Sequence, residues 1–214
     1  MATLLLFRHG ETDLTEGRYC GSSDPPLNER GRQQAQCVRS YLRAQTVAAI
    51  YSGPLLRAVQ TAEPSARALG LDLRAVEALR EVSFGEWEGL TFAEARQRYP
   101  DEWARREADP YSFAPPGGET YRELCARVLP AFNELVARHR GETIAVFAHR
   151  SVNRMLLTSV LDMPVAYYRR IEIAPAALVM LRSLDSGLEV LAINERCHLG
   201  LSAGDAARQL NRTD

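Results

Sequence analysis

The sequence contains no lysine: all 26 of its basic residues are arginine. That excludes chemistry built on lysine, including a P-loop phosphate lysine, a Schiff base and pyridoxal-phosphate catalysis. Any anion site must be made from arginine, histidine and backbone N–H groups. Cysteine is scarce as well. Cys20, Cys37, Cys125 and Cys197 lie far apart with no C-x-x-C pair, so neither a zinc site nor a disulfide scaffold is expected. No apolar run approaches the roughly 20 residues of a membrane span, and the first eight residues lack the basic region of a signal peptide. The expected location is cytoplasmic, with no membrane partner. Positive charge is not in excess either. The formal net charge is −1, which argues against nucleic acid as a partner.

What is present is an ordinary globular composition, with 46% hydrophobic and 25% charged residues. A length of 214 residues suits one domain over 1–214 with a full core. Thr3–Phe7, Val47–Tyr51 and Thr143–Ala148 are short continuous apolar runs, as expected of strands buried on both faces. Asn28 predicts the N-cap of a helix running to about Ala44, and Pro54 predicts the first position of a second helix ending near Gly70. Leu71–Val76 reads as an edge strand. Thr120-x-x-Glu123 is a capping box opening a long helix, in which Pro130 predicts a kink. Ser151–Leu161 reads as a further helix, and Ala177–Leu181 with Leu188–Ile193 as a hairpin. The tail after Ser202 is polar and is expected to fray. This alternation of strand and helix predicts an α/β fold of three layers, a mostly parallel sheet with helices on both faces. Residues 83–118 differ in character, being rich in aromatics and prolines, and read as a small helical lid inserted into that frame.

In open α/β sheets ligands bind beyond the carboxyl ends of the strands. The first buried strand is followed by Arg8-His9-Gly10-Glu11-Thr12, the second by Ser52-Gly53-Pro54-Leu55-Leu56-Arg57, and the third by His149-Arg150-Ser151. Two histidines and at least two arginines therefore meet on one rim, with two helix N-termini aimed at it. A lone histidine at a strand end is usually structural, and that reading suffices for His139 and His198. It does not explain two histidines on the same rim, each near an arginine. A phosphoryl group fits such a site, because guanidinium forks match its oxygens.

These residues also carry a family resemblance. Leu4-Leu5-Leu6-Phe7-Arg8-His9-Gly10-Glu11-Thr12 resembles the signature of the histidine phosphatase superfamily, also called the phosphoglycerate mutase-like family. Gly17-Arg18 with Asp24-Pro25-Pro26-Leu27 and Gly31-x-x-Gln34-Ala35 is similar to its substrate loop and first helix. Tyr51-Ser52-Gly53-Pro54-Leu55-x-Arg57, Leu79-x-Glu81-x-x-Phe84-Gly85-x-Trp87-Glu88-Gly89, Pro116-Gly117-Gly118-Glu119-Thr120 and Ala148-His149 follow in the family's order. The resemblance implies a phosphomonoesterase acting on a small-molecule phosphate ester, with no metal and no other cofactor. It makes His9 the nucleophile, Arg8, Arg57 and His149 the phosphoryl ligands, and Glu81 the proton donor. Substrate contacts are expected from Thr15, Gly21, Ser22 and Arg150.

Three positions depart from the common pattern. Thr15 stands where asparagine is frequent, Gly53 where serine or aspartate is frequent, and Arg150 where glycine is usual. Gly53 leaves the cap of the second helix to Ser52 or water. Arg150 either points to solvent or adds a cation that selects a second anionic group on the substrate. Two further functions fit the same motifs, a cofactor-dependent phosphoglycerate mutase and a non-catalytic phospho-ligand binder. The mutases carry a longer segment than the 35 residues between Glu81 and Gly117 here, with an arginine pair that Arg105-Arg106 could imitate. The binder is disfavoured because no catalytic position has been lost. The pattern is more similar to the phosphatase branch, including the α-ribazole phosphatases. Balanced charge over the lid argues for a small monophosphate over a polyanion. The sequence fixes no oligomeric state, and a homodimer is compatible with it.

Overall fold

A computed structural model describes residues 1–15 and 17–200; the tail expected to fray lies outside the described residues. Six strands form one sheet: β1 (Thr3–Arg8), β2 (Ala49–Ser52), β3 (Leu73–Ala75), β4 (Thr143–Ala148), β5 (Leu178–Leu184) and β6 (Gly187–Glu195). Their order is β3-β2-β4-β1-β5-β6. The first four strands in that order are parallel, and β5 and β6 add an antiparallel hairpin beside β1. The sheet is therefore mostly parallel, as the alternation of elements predicts, and the short β3 is an edge strand.

Side-chain alternation in these strands builds two cores. Leu4, Leu6, Ile144 and Val146 face one side, where Leu124, Val128 and Phe132 of α5 (Tyr121–Arg138) and Val152, Met155 and Leu156 of α6 (Arg150–Val160) cover them. Leu5, Phe7, Ile50 and Phe147 face the other side. Val38 and Leu42 of α1 (Glu29–Leu42) and Ala62 and Ala66 of α2 (Leu56–Leu69) cover those. A strand buried on both faces has no polar positions to alternate, hence its continuous apolar run.

Local signals place most helix ends. Asn28 Oδ1 accepts from Gly31 N at 2.8 Å, and the Thr120–Glu123 capping box forms reciprocally. The helix α5 runs unbroken past Pro130. One expectation fails. Pro54 is not the first residue of α2, which starts at Leu56 with Leu55 extended as its cap residue. The cause is tertiary. Asp24, from the loop before α1, accepts the Leu56 N–H at 2.6 Å, so the cap comes from a distant segment and not from Ser52, whose hydroxyl has no partner.

Residues 83–118 hold two short helices, α3 (Phe92–Arg98) and α4 (Pro100–Ala108). They fold around Trp87, which is fully buried and stacks on Trp103 at 5.8 Å between ring centroids. Tyr19, Phe92, Tyr99 and Phe113 join this small cluster, which meets one of the sheet cores through Phe84. No helix among the described residues is long and apolar enough to cross a membrane.

Candidate active site

Three adjacent strands, β2, β4 and β1, end on the same rim. Arg8 closes β1 in register with Ala148 at the end of β4, and His9 N donates to the Ala148 carbonyl at 2.9 Å. This single backbone bond brings the segment after β1 against the segment after β4. The His9 and His149 rings consequently lie 5.3 Å apart between centroids. The departure at Gly53 has its reason here. A Cβ on Gly53 would come within 2.9 Å of His149 Nε2 and 2.7 Å of the Leu79 carbonyl, so a side chain there requires the histidine to move.

His9 Nδ1 lies 2.7 Å from the carbonyl of Gly10. A carbonyl can only accept, so Nδ1 carries the hydrogen and Nε2 keeps the lone pair. Burial, then the charges of Arg57 and Arg8, hold the His9 pKa well below the usual histidine value. The ring is therefore neutral and nucleophilic at neutral pH. His149 is pushed the same way by burial and then by Arg57, and neither of its ring nitrogens has a partner among the described residues.

The cations are buried with it. Arg8 donates from Nη1 to the Ile173 carbonyl at 2.8 Å. Burial, then the charge of Arg150, pull its pKa down to about 9, so it stays protonated at neutral pH. Arg57 is fully enclosed and donates to the carbonyls of Ser23 and Gly21 at 2.6 and 2.8 Å. The Nε atoms of Arg8, Arg57 and Arg150 are buried without an acceptor. Buried polar groups are normally paired, because an unpaired one costs roughly 1–3 kcal/mol. With one N–H on the neutral His149 ring, these nitrogens supply four unpaired donors around one rim, a set suited to an oxyanion.

Glu81 is 4% exposed and lines the same pocket. One of its oxygens accepts from Val82 N at 2.9 Å and the other from Ser151 N, in the first turn of α6, at 3.1 Å. Its two sequence rivals are elsewhere. Glu86 is exposed and bound to the Tyr99 hydroxyl. Glu88 accepts the backbone N–H groups of Gly21, Ser22, Ser23 and Phe84. Burial raises the Glu88 pKa, but these bonds and one from the Ser23 hydroxyl outweigh it and leave the carboxyl below its ordinary value.

Of the expected substrate contacts, Thr15 and Arg150 line the pocket with Arg8, His9 and Glu81. The Thr15 hydroxyl also accepts from Thr12 N at 2.7 Å. Gly21 and Ser22 are held differently. Their N–H groups go to Glu88, and the Gly21 carbonyl to Arg57, so this loop braces the arginine. Arg57 and His149 stand behind the lining, fully buried. Arg105 pairs with Glu102 at the surface, and only Arg106 of the two lid arginines reaches the pocket.

The pocket has a volume of about 430 Å³, well beyond a phosphoryl group and within the range of small-ligand sites. Phe84, Phe92 and Trp103 line it, whereas Trp87, Tyr99 and Phe113 pack the lid. Six arginines line it against two glutamates, Glu81 and Glu172. The balanced charge of the lid is thus a poor guide to the pocket. Lid acids are used locally: Glu94 caps α3, Glu102 pairs with Arg105, and Asp109 caps a turn. Arg154 escaped the sequence reading, although it lies four residues after Arg150 and so on the same face of α6. Arg106 and Arg169 enter from elements that no local signal links to the rim. Among the described residues, no three His, Cys, Asp or Glu side chains gather as a metal site.

A parallel-sheet rim that sets a neutral histidine nitrogen among buried guanidiniums defines an α/β protein of the phosphoryl-binding class. The chain belongs to the histidine phosphatase superfamily (branch 1), whose family model matches residues 4–196. It is 42% identical over 177 residues to a bifunctional protein of Mycobacterium tuberculosis, covering 82% of this chain and 48% of that one. The chain thus spans about half the length of that relative. Phosphoserine phosphatase 1 of Hydrogenobacter thermophilus is 29% identical over 201 residues, covering 94% of this chain and 95% of the enzyme. The crystal structure of an α-ribazole phosphatase from Shigella flexneri superposes with a TM-score of 0.82 over 90% of this chain and 96% of that one. At 23% identity, that likeness is one of fold.

Proposed function

We propose that this protein is a phosphomonoesterase that hydrolyses a small organic monophosphate through a phosphohistidine on His9. The observation that carries the reading is the His9 ring itself, fixed by the Gly10 carbonyl so that Nε2 presents its lone pair to the pocket. Nε2 attacks phosphorus in line, the P–N bond forms, and the bond from phosphorus to the ester oxygen breaks. Arg8, Arg57 and His149 offset the charge spread over the phosphoryl oxygens, which is where most catalysis of phosphoryl transfer lies. Glu81 gives its proton to the leaving alkoxide. The resulting carboxylate then takes a proton from the water that attacks the phosphohistidine, and inorganic phosphate and the free Nε2 are regenerated.

Membership in a phosphatase superfamily and the likeness to a phosphoserine phosphatase support the reaction class. The reading assigns the neutralisation of phosphoryl charge to arginine and not to a metal. The test uses p-nitrophenyl phosphate in excess EDTA, with rapid quenching in alkaline detergent and mapping of bound phosphate. The expected result is full turnover with acid-labile phosphate on His9, and no turnover by His9→Ala. Activity lost on chelation and restored by a divalent ion would overturn the metal-free mechanism. Substantial turnover by His9→Ala would mean direct attack by water.

A further inference from the structure

We propose that Arg150 receives a second anionic group, so that the substrate is a phosphomonoester carrying another oxyanion, a carboxylate or a second phosphate, on its leaving group. This rests on the phosphatase reading above and names the substrate class of the same pocket. Arg150 opens α6 directly after His149 and lines the pocket with Arg8 and His9. Among the described residues its guanidinium has no ion pair and no hydrogen bond, and its Nε is buried without an acceptor.

The surrounding charge does not balance. Arg8, Arg150 and Arg154 act on one another as like charges. Of the two pocket carboxylates, Glu172 is paired with Arg154 at 3.1 Å, while both oxygens of Glu81 hold backbone N–H groups. Arg8 and Arg57 already serve the reacting phosphoryl group, so Arg150 is surplus to it. Arg150 is half-buried with its Nε cut off from any acceptor, so its charge is incompletely solvated, and a ligand anion offsets that. The pocket is also far larger than one phosphoryl group. A third arginine on the same phosphoryl group is the rival role, and matched substrates separate the two.

Two pairs of probes differ only in the second charge: 3-phosphoglycerate against glycerol 3-phosphate, and propane-1,3-diol bisphosphate against 3-hydroxypropyl phosphate. For the wild type, kcat/KM is expected to favour the charged member of one pair by about tenfold or more, the scale of one charge-assisted hydrogen bond. The favoured pair distinguishes carboxylate from phosphate. In Arg150→Gln that ratio should fall towards one, and Arg150→Lys, which keeps the charge, should retain part of it. If Arg150→Gln slows both members equally, Arg150 serves the reacting phosphate and the proposal fails. It fails too if the wild type turns over p-nitrophenyl phosphate but prefers neither charged probe. No turnover of any probe, p-nitrophenyl phosphate included, removes the phosphatase reading and this inference with it.

Discussion

At the scale of single residues, three glutamates close in sequence have three different fates. Glu81 is enclosed in the lining of the pocket that also holds His9, Glu86 is on the surface, and Glu88 is held as an anion by backbone N–H groups. A general acid typically contributes about 10²–10⁴-fold, and it matters most when the leaving group is basic. Glu81→Gln should therefore lower kcat strongly for an alkyl phosphate and far less for p-nitrophenyl phosphate, whereas Glu86→Gln should show no such contrast. Steady-state rates with both substrates decide it. If the contrast follows Glu88→Gln instead, the proton donor has been misassigned. The histidines give a pH signature. Because the folded His9 pKa is depressed, Nε2 stays unprotonated as pH falls through the ordinary histidine value of about 6.5. The acid limb of kcat/KM, which reports the free enzyme, is expected to lie below that value, and a limb centred at or above 6.5 would count against His9 as the buried nucleophile. Stability follows with its own sign. The unfolded chain takes up protons on these histidines before the folded one does. Their burial therefore adds no pH-dependent cost above about 6.5 and destabilises progressively as pH falls below it. Thermal unfolding between pH 7 and 5 should show this loss, and His149→Gln should show less of it.

At the scale of elements, the site depends on segments that touch neither His9 nor Glu81. The loop at residues 21–23 offers carbonyls to Arg57 and N–H groups to Glu88, so one half-buried carboxylate holds the arginine through that loop's backbone. Its fit is close: a Cβ on Gly21 would lie 2.0 Å from the Val82 carbonyl. Glu88→Ala should let this loop relax and lower kcat/KM, though by less than Arg57→Ala. The latter removes a phosphoryl donor outright and should cost about 10²–10³-fold. Equal effects, or none from Arg57→Ala, would contradict this hierarchy. In the lid, Trp87 is the enclosed centre, stacked with Trp103, which in turn carries the Arg106 guanidinium 4.8 Å from its ring centroid. Trp87→Ala should cost about 3–5 kcal/mol in chemical unfolding, the range for a buried large aromatic. A loss below 1 kcal/mol would mean that the lid packs independently of that side chain.

At the scale of the molecule, the orphaned nitrogens and the surplus of arginine in the pocket predict that a phosphate-like anion stabilises the fold. A ligand that binds only the folded state adds about 2.7 kcal/mol at 100 times its Kd. Inorganic phosphate or vanadate should raise Tm in a saturable way, and His149→Gln should shift the midpoint of that rise to higher concentration. No shift in Tm at millimolar anion would contradict an oxyanion site on the rim.

The sheet and the place of His9 on its rim were legible in the sequence, for a local reason. Three apolar runs buried on both faces leave no doubt about their strand character, and the residues that follow a parallel strand must lie on its carboxyl rim. Thr120-x-x-Glu123 and Asn28 set helix starts because a cap is chosen within a few residues of the helix it serves. The start of α2 was not legible, since its cap is Asp24, 32 residues away. The same holds for the three glutamates, which sequence spacing cannot rank. Burial and the source of the donated hydrogens separate them, and both are properties of packed neighbours. The charge of the pocket was misread from the lid's composition because acids and bases near in sequence pair locally, while Arg106, Arg150, Arg154 and Arg169 come together only when three segments close around one space. The sequence determined which chemistry was available, arginine and histidine at the ends of parallel strands. Tertiary packing decided which of those groups are enclosed, neutral or left without a partner, because desolvation and charge coupling act through space and not along the chain.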